Sequence, residues 1–369
     1  MTHNADVLVV GAGPAGLATA IAASLRGFSV AVADSRKPPI EKACGEGLLP
    51  GAVTNLRRLG IDLSRSAAFP FQGIRFSDDK STASARITCG AAFGLRRVAL
   101  HNLLVQRAGE LGVAFLWGSR VADFDAHGAR ISGVPFRCKW LVGADGQNSV
   151  VSKWAGVHVR QPRLSRFGFS RHFEAAPWTD MVEVHWGPGC QLFVTPTGAE
   201  EVCIALLSHD PQLRIERGLA HFPEVARRLR DARPLSAELG SVTSLGRARA
   251  VAHGRVALVG DASFTVDGIS GQGLSLAFEQ ALHLAEALAR EDLSHYARAH
   301  REISRTPWRM TRLLLLMDQS PWIRRKTLRL FARNAGLFAK LMSHHTGPAA
   351  QEDLRANELL DLGWQVLRA

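Results

Sequence analysis

A glycine-rich turn near the start of the chain constrains the fold more than any other feature. Residues 6–10 are rich in valine and predict a short buried strand. Gly11, Gly13 and Gly16 follow with the spacing G-x-G-x-x-G, and the alanine- and leucine-rich residues 17–26 predict a helix. A strand, a glycine turn and a helix in this order are typical of the first half of a β-α-β unit.

The residues of this unit indicate a ligand. Gly11 permits the tight turn, Gly13 lets a pyrophosphate approach the backbone, and Gly16 lets the helix pack closely on the strand. Pro14 suits the first helical turn, where free N–H groups and the positive end of the helix dipole favour a phosphate. Asp34 ends the second strand at the spacing expected of a ribose-binding carboxylate. The unit predicts dinucleotide binding, with a ligand-free turn of the same shape as the alternative.

The predicted elements alternate between two kinds along the chain. β/α elements occupy three separate segments, and patterns of antiparallel strands lie between them. The fold class is therefore α/β, with a Rossmann-like dinucleotide-binding domain interleaved with a mixed or antiparallel β-sheet domain and followed by C-terminal helices. We expect the first domain at 1–68, 94–160 and 250–300, the second at 69–93 and 161–249, and the helical segment at 301–369. Within the second domain, residues 215–231 predict one helix.

Composition excludes several classes of protein. The 369 residues are 46% hydrophobic and 21% charged, so the chain can bury a core and is not expected to be disordered. Its 5 cysteines are scattered and form no C-x-x-C pair, which argues against a disulfide framework and against a structural zinc site. We expect no metal. No signal peptide or transmembrane run is evident, so we expect a cytoplasmic protein.

Two further turns and one loop follow predicted strands later in the chain. They are Asp145-Gly146, Gly260-Asp261 and Gly271-Gln272-Gly273-Leu274. In this order and spacing, after the first glycine turn, they resemble the FAD-dependent monooxygenases and reductases related to para-hydroxybenzoate hydroxylase and geranylgeranyl reductase. The resemblance spans most of residues 5–300.

This resemblance implies that the cofactor is FAD and suggests which residues bind it. It implies that Arg97 faces the ribityl-phosphate region, that the backbone of Val121 contacts adenine, and that Asp261 meets a ribityl hydroxyl. The loop before the helix at 272–290 would place a helix dipole against the reduced flavin. The implied cofactor-binding residues are Gly11, Gly13, Pro14, Ala15, Gly16, Asp34, Ser35, Arg36, Cys44, Gly45, Arg97, Val121, Asp145, Gly146, Gly260, Asp261, Gly271, Gln272, Gly273 and Leu274.

The segment 42–48, Lys-Ala-Cys-Gly-Glu-Gly-Leu, resembles an element of the geranylgeranyl-reductase branch that lies beside the flavin ring. Its glycines would let the backbone approach a flat ring. Cys44 is a candidate redox or acid group, and a small buried hydrophobe is the alternative.

The substrate pocket is expected between the flavin and the strands of 165–208. Arg171 and His185 are the catalytic candidates there, and the periodicity does not decide which strand face meets the pocket. His172, Phe193 and Thr195 are also expected to face it.

The resemblance leaves three reactions open. The preferred one is an NADPH- or NADH-dependent monooxygenase that oxygenates a hydrophobic aromatic or polyketide-like secondary metabolite through a flavin C4a-hydroperoxide. The second is a flavin reductase of C=C bonds in an isoprenoid or other lipophilic substrate, which the Cys44 segment favours. The third is a flavin-dependent halogenase, against which the lack of a W-x-W-x-I-P element argues. No second dinucleotide turn follows, as in relatives where the nicotinamide reductant docks transiently.

The formal net charge of +12 is concentrated near the C-terminus. Between residues 304 and 342, nine basic residues accompany one acid, Asp318, which leaves a net +8. No nucleic-acid-binding signature accompanies this charge, so we expect no nucleic-acid partner. The segment also contains Trp308 and Trp322. Its apolar face either caps the fold or contacts an anionic membrane surface or an acyl-carrier partner.

Overall fold

The computed structural model describes residues 3–125, 128–157 and 165–347. The predicted helical segment beyond residue 347 lies outside the described residues. The strands are β1 (His3–Val10), β2 (Val30–Asp34), β3 (Gly47–Leu48), β4 (Phe69–Phe71), β5 (Gly73–Ser77), β6 (Thr82–Arg86), β7 (Ala92–Gly94), β8 (Ala114–Trp117), β9 (Val121–Asp125), β10 (Gly128–Ile131), β11 (Val134–Gly143), β12 (Ser165–Glu174), β13 (Met181–Gly187), β14 (Cys190–Gly198), β15 (Glu201–Ser208), β16 (Leu239–Ser244), β17 (Gly246–Arg247), β18 (Ala252–His253), β19 (Val256–Leu258) and β20 (Phe264–Thr265).

The helices lie between these strands and at the C-terminal end of the described chain. They are α1 (Pro14–Ser24), α2 (Pro50–Arg58), α3 (Arg97–Glu110), α4 (Val150–Trp154), α5 (Ile215–Leu219), α6 (Pro223–Arg228), α7 (Gly273–Ala289), α8 (Leu293–Ile303), α9 (Arg305–Gln319), α10 (Pro321–Arg333) and α11 (Ala335–Thr346). Short 3-10 turns lie at Leu63–Arg65, Gly260–Ala262 and Gly268–Ser270.

The first sheet has parallel strands at its centre. Its order is β18-β19-β11-β1-β2-β8, and β1 runs parallel to both of its neighbours. Val7 and Val9 are fully buried in one apolar cluster, and Leu8 is fully buried in another. Both faces of β1 are therefore covered, which explains why its sequence is a continuous apolar run rather than an alternating one.

The second sheet is mainly antiparallel and has the order β16-β12-β15-β14-β13-β5-β6. Only β5 and β13 pair in parallel within it, among the strands that the structure describes. One apolar cluster joins β5 and β6 to α9, α10 and α11, and a second joins β12, β14 and β15 to α5 and α6. Helices thus cover this sheet too.

The two sheets draw on alternating parts of the chain, and the α/β fold class is confirmed. The residue limits of the two domains stay a prediction. The single helix expected over residues 215–231 is wrong, because the chain forms α5 and α6 there instead. Pro223 has no N–H and begins α6, since a proline inside a longer helix would clash with the preceding turn. In the described parts of the chain, no helix combines the length and apolarity needed to cross a bilayer.

Two buried histidines join the C-terminal helices to the turns of the first sheet. His300 Nε2 lies 3.1 Å from both Gln280 Nε2 and Ser263 Oγ, and Gln280 Oε1 accepts a hydrogen bond from Gly260 N–H at 2.6 Å. Burial lowers the pKa of His300 to about 4. The imidazole is therefore neutral at physiological pH.

His345 makes an equivalent connection from α11. Its Nε2–H donates to Ser270 O at 2.8 Å, and its Nδ1 lies 3.3 Å from the donor Nε2 of Gln272. Burial lowers the pKa of His345 to about 4. A second ring proton would face the amide donor of Gln272, so this arrangement requires the neutral form.

We predict that the protein loses stability as the pH falls from about 6.5 towards 4. In that window the unfolded chain binds protons at His300 and His345 that the folded chain does not, so the free energy of unfolding decreases by about 3 kcal/mol for each histidine. Thermal unfolding followed across this pH range measures the effect. His345→Gln should give a shallower decline than the wild type, and an equal slope in both proteins would contradict the prediction.

Candidate functional site

A cavity of about 380 Å³ lies between the two sheets. The start of α1 forms part of its wall through Gly13, Pro14 and Ala15, together with the Gly260-Asp261 turn. Apolar side chains of the second sheet form another part. These include Ile74, Phe76, Val182, Val184, Phe193 and Leu207. Phe71 of β4, which belongs to a separate small sheet, also lines the cavity. The predicted dinucleotide turn and an apolar surface therefore line one cavity.

The glycine turn has no space for side chains at two of its three glycines. A Cβ on Gly11, whose φ is +105°, would lie 2.4 Å from Ala144 O, and a Cβ on Gly16 would lie 1.9 Å from Gly11 O. A Cβ on Gly13 would meet no atom within 4 Å. Gly13 also caps α1 without a side-chain hydrogen bond. The turn therefore packs tightly on the sheet and presents open space at Gly13, as a phosphate cradle requires.

Asp34 braces this turn from the end of β2. One carboxylate oxygen accepts a hydrogen bond from Ala12 N–H, and the other accepts one from Arg36 N–H, both at 2.9 Å. Ser35 beside it is exposed, and Ser119 N–H donates to Asp34 O at 3.0 Å. That last bond places the chain just before Val121 against the same strand end, where adenosine binding was predicted.

Arg97, the first residue of α3, supplies a positive charge to the cavity wall. Its side chain is half-buried, but its Nη1 atom is fully buried and has no hydrogen-bond partner among the described residues. Burial lowers the pKa of Arg97, since desolvation disfavours the charged form. An anion in the cavity would accept a hydrogen bond from Nη1 and would stabilise the charged form of Arg97. A diphosphate therefore fits this position.

Asp145 and Asp261, the acids of the two later turns, make different contacts. Asp145 Oδ2 accepts hydrogen bonds from Val150 N–H at 2.6 Å and Val151 N–H at 3.2 Å, and so caps the start of α4. Asp261 borders the cavity and pairs with Lys42 Nζ at 3.0 Å. Both partners of this pair are substantially exposed, so it contributes little stability and leaves Asp261 available to a ligand.

The loop before α7 is held by a buried ion cluster. Arg166, which is 2% exposed, donates to both carboxylate oxygens of Asp267 and to Asp318 Oδ2 at 3.1 Å. Asp267 in turn accepts a hydrogen bond from Ile269 N–H at 3.0 Å. Of the predicted loop residues, Gly271, Gly273 and Leu274 line the cavity, whereas Gln272 turns towards α11.

The segment that contains Cys44 lies on the cavity wall and is bound to the second sheet. Cys44 N–H donates to Ser170 Oγ at 3.2 Å, and Thr195 Oγ1 donates to Gly45 O at 2.7 Å. Glu46 N–H donates to Cys44 Sγ at 3.3 Å. Burial raises the pKa of the Cys44 thiol, so the sulfur carries its proton at neutral pH.

Glu46 and His172 form a buried pair directly behind Cys44. Glu46 Oε2 lies 2.5 Å from His172 Nε2, and Glu46 Oε1 accepts a hydrogen bond from Arg97 N–H at 2.8 Å. Cys203 lies within 4.8 Å of both, a spacing that a metal ion could use. Hydrogen bonds already occupy both carboxylate oxygens, however, and burial raises the pKa of Cys203 well above its ordinary value. The contacts describe a hydrogen-bonded cluster that anchors the Cys44 segment.

The predicted pocket residues divide between the two faces of the second sheet. Phe193 and Thr195 line the cavity. Arg171 and His185 do not, because their neighbours in the strands do and side chains alternate. Arg171 Nε donates to Ser236 O at 3.1 Å, and His185 Nδ1 lies 2.7 Å from Ser77 Oγ. These two candidates therefore make structural contacts away from the cavity.

Sequence reasoning missed three residues around the cavity, Glu46, Arg166 and His345. Glu46 lies in the same segment as Cys44. Its φ of 59° is a backbone conformation that residues other than glycine seldom adopt. No local pattern indicates Arg166 or His345, because their partners lie far away in the chain.

Comparison with known proteins assigns the chain to a family. Residues 4–295 match the family model described as "FAD binding domain". The match covers most of the chain, which therefore belongs to this family. It confirms the prediction of an FAD-dependent oxidoreductase from the superfamily of para-hydroxybenzoate hydroxylase and geranylgeranyl reductase.

Individual relatives include both reductases and hydroxylases. The chain is 28% identical to a menaquinone reductase of Mycolicibacterium smegmatis over 81% of its own length and 80% of the relative's. It is also 28% identical to a 3-hydroxybenzoate 6-hydroxylase of Polaromonas naphthalenivorans, over 76% and 78%. A geranylgeranyl bacteriochlorophyll reductase-like protein from Thermoplasma acidophilum has the same fold, with a TM-score of 0.75, 19% identity, and coverage of 98% and 96%.

We predict different effects when alanine replaces Gly13 and when it replaces Gly16. Gly13→Ala should weaken FAD binding by roughly tenfold or more with little change in the stability of the apoprotein, because the new methyl group enters the open space in which the diphosphate would lie. Gly16→Ala should destabilise the apoprotein itself by about 1–3 kcal/mol, since its methyl group overlaps Gly11 O. FAD titration by fluorescence quenching and thermal unfolding without FAD separate the two. An apoprotein equally destabilised by both substitutions would contradict this account.

Proposed function

We propose that this member of the FAD binding domain family is a reductase that saturates a carbon–carbon double bond in a lipophilic substrate. The observation that carries the proposal is the Cys44 thiol, which lies on the cavity wall and keeps its proton. Saturating a double bond adds two electrons and two hydrogens to the substrate. Bound FAD, once reduced, supplies the electrons and one hydrogen as a hydride equivalent.

The second hydrogen must come from a proton donor beside the substrate. Cys44 fits this role because its thiol is protonated, and because two hydrogen bonds fix its position: Glu46 N–H donates to its sulfur, and its own N–H donates to Ser170 Oγ. A thiolate would instead be a nucleophile or a metal ligand. The Glu46–His172 pair behind the segment holds the thiol in place rather than reaching the cavity with its imidazole.

The residues that would hold FAD follow from the contacts of the cavity. The open side of Gly13 and the free guanidinium nitrogen of Arg97 would receive the diphosphate. Asp34 would face the adenosine ribose, and Asp261 a ribityl hydroxyl. NADPH or NADH would serve as the reductant and would dock transiently.

The apolar wall supports a lipophilic substrate. Phe71, Phe76, Val184, Phe193 and Leu207 meet in the cavity, and burial of a hydrocarbon chain against such a surface is favourable by about 25 cal/mol for each Å² of apolar area. The relative that is a menaquinone reductase supports the reductase assignment.

Oxygenation is the second candidate. The relative that is a 3-hydroxybenzoate 6-hydroxylase supports it, and the phenylalanines of the cavity would suit an aromatic substrate. This reaction would need O₂ in addition to the reductant, whereas saturation needs none. The two candidates therefore differ in their need for oxygen.

We predict product formation without oxygen. The FAD-loaded enzyme is incubated anaerobically with dithionite and geranylgeraniol, whose isolated double bonds dithionite alone does not reduce, and mass spectrometry should find a product heavier by two hydrogens. A product that appears only in air and takes up ¹⁸O from ¹⁸O₂ would overturn the reductase and establish the monooxygenase.

We further predict that Cys44→Ala lowers kcat for saturation by roughly 100-fold, the usual contribution of a general acid. Cys44→Ser should retain part of the activity, because a hydroxyl is a weaker acid. FAD content and the rate of flavin reduction by NADPH should stay near those of the wild type. Cys89→Ala is the matched control, since Cys89 is a half-buried cysteine outside the cavity wall. Wild-type kcat in Cys44→Ala would exclude Cys44 as the donor.

A further inference from the structure

The helices α9 and α10 have a sharply divided surface. Met310, Leu314 and Met317 of α9 are buried in the apolar cluster that includes Phe76 of the second sheet. Leu314 also lines the cavity. The opposite side of the same helix faces outward, because residues two positions apart lie on opposite sides of an α-helix.

The outward side of α9 carries a stripe of exposed residues. Arg309, Arg312 and Leu316 follow one another at spacings of three and four residues, so they share one helical face, and all three are exposed. Leu316 is 45% exposed, which makes it one of the few large aliphatic side chains that the described surface leaves so open.

The helix α10 carries a similar stripe. Trp322, Arg329 and Arg333 lie on one face at spacings of seven and four residues, and all are exposed. Trp322 is 49% exposed and lies only six residues after Leu316, across the short break between the two helices. The two apolar side chains therefore occupy one corner, with arginines along both helices that lead away from it.

The four arginines are available to an external anion. Among the described residues, Arg309, Arg312, Arg329 and Arg333 have neither an ion-pair nor a hydrogen-bond partner. The only acid of residues 304–342, Asp318, is engaged with the buried Arg166. The outer face is therefore strongly positive, with an apolar corner that includes a tryptophan.

We propose that the outer face of α9 and α10 docks on an anionic phospholipid membrane. Arginines attract the lipid phosphates, and a tryptophan is the side chain that most favours the boundary between water and hydrocarbon. The charge complementarity and the exposed Trp322 together favour lipid, since the four arginines are exposed and the one acid of the segment is engaged with Arg166. The cavity wall at Leu314 lies only the width of one helix, about 10–12 Å, from this face. Docking would hold the cavity close to a store of lipophilic molecules.

Co-sedimentation of the FAD-loaded, full-length protein with vesicles tests the proposal without turnover, so its outcome is independent of the proposed reaction. We expect the wild type to bind phosphatidylcholine vesicles that contain phosphatidylglycerol, and not vesicles of phosphatidylcholine alone. The variant with Arg309, Arg312, Arg329 and Arg333 all replaced by Gln should bind roughly 500-fold more weakly, because each basic residue near an anionic surface contributes about fivefold. High salt should weaken the wild type similarly.

A matched variant controls for net charge alone. Replacing Arg65, Arg137, Arg217 and Arg230 by Gln removes the same number of exposed arginines from other surfaces and should leave vesicle binding unchanged. Leu316→Ser with Trp322→Ser should reduce the binding that remains at high salt. Equal losses in the two four-arginine variants, or no binding by the wild type, would overturn the proposal. Binding to an acidic acyl-carrier protein but not to vesicles would assign this face to a protein partner instead.

Discussion

The buried guanidinium of Arg166 connects the parts of the molecule that form the cavity. A charge this far from water is tolerated only when its partners are in place, and removing one partner of such a group typically costs about 3–5 kcal/mol. Arg166 belongs to the second sheet, Asp267 to the loop before α7, and Asp318 to α9. The sheet, the loop and the C-terminal helices are therefore held in one arrangement by a single cluster, and the cavity takes its shape from all three.

The cavity combines two chemical environments that a flavoenzyme needs. On the side of the first sheet, the open space at Gly13 and the desolvated Arg97 favour an anionic, phosphate-bearing group. On the side of the second sheet, the wall is apolar and would favour a hydrocarbon. The Cys44 segment belongs to neither sheet's core, yet its hydrogen bonds with Ser170, which accepts from Cys44 N–H, and with Thr195, which donates to Gly45 O, fix it between these two environments. In the proposed saturation, a proton donor at this position would connect the cofactor's chemistry to a lipophilic substrate.

The C-terminal helices contribute residues to the cavity on one side and to the protein surface on the other. Their inner residues line part of the cavity, and His345 of α11 donates a hydrogen bond to Ser270 O in the loop before α7. Their outer residues form the basic face proposed to meet lipid. The net +8 of residues 304–342 lies outside the flavin motifs. Arg309, Arg312, Arg329 and Arg333 are exposed, whereas Arg324 lies mostly buried beside Asp78.

The β-α-β unit, the α/β class and the FAD family can all be predicted from the sequence, because glycine spacing, buried apolar strands and turn acids are local patterns. Which side chains share the cavity depends instead on tertiary packing. It turned Arg171 and His185 away from it, and it brought Glu46 against His172 and Arg166 against Asp267. These pairs are separated by more than a hundred residues, and strand alternation allows either face to be the inner one until the two sheets and the C-terminal helices are packed together.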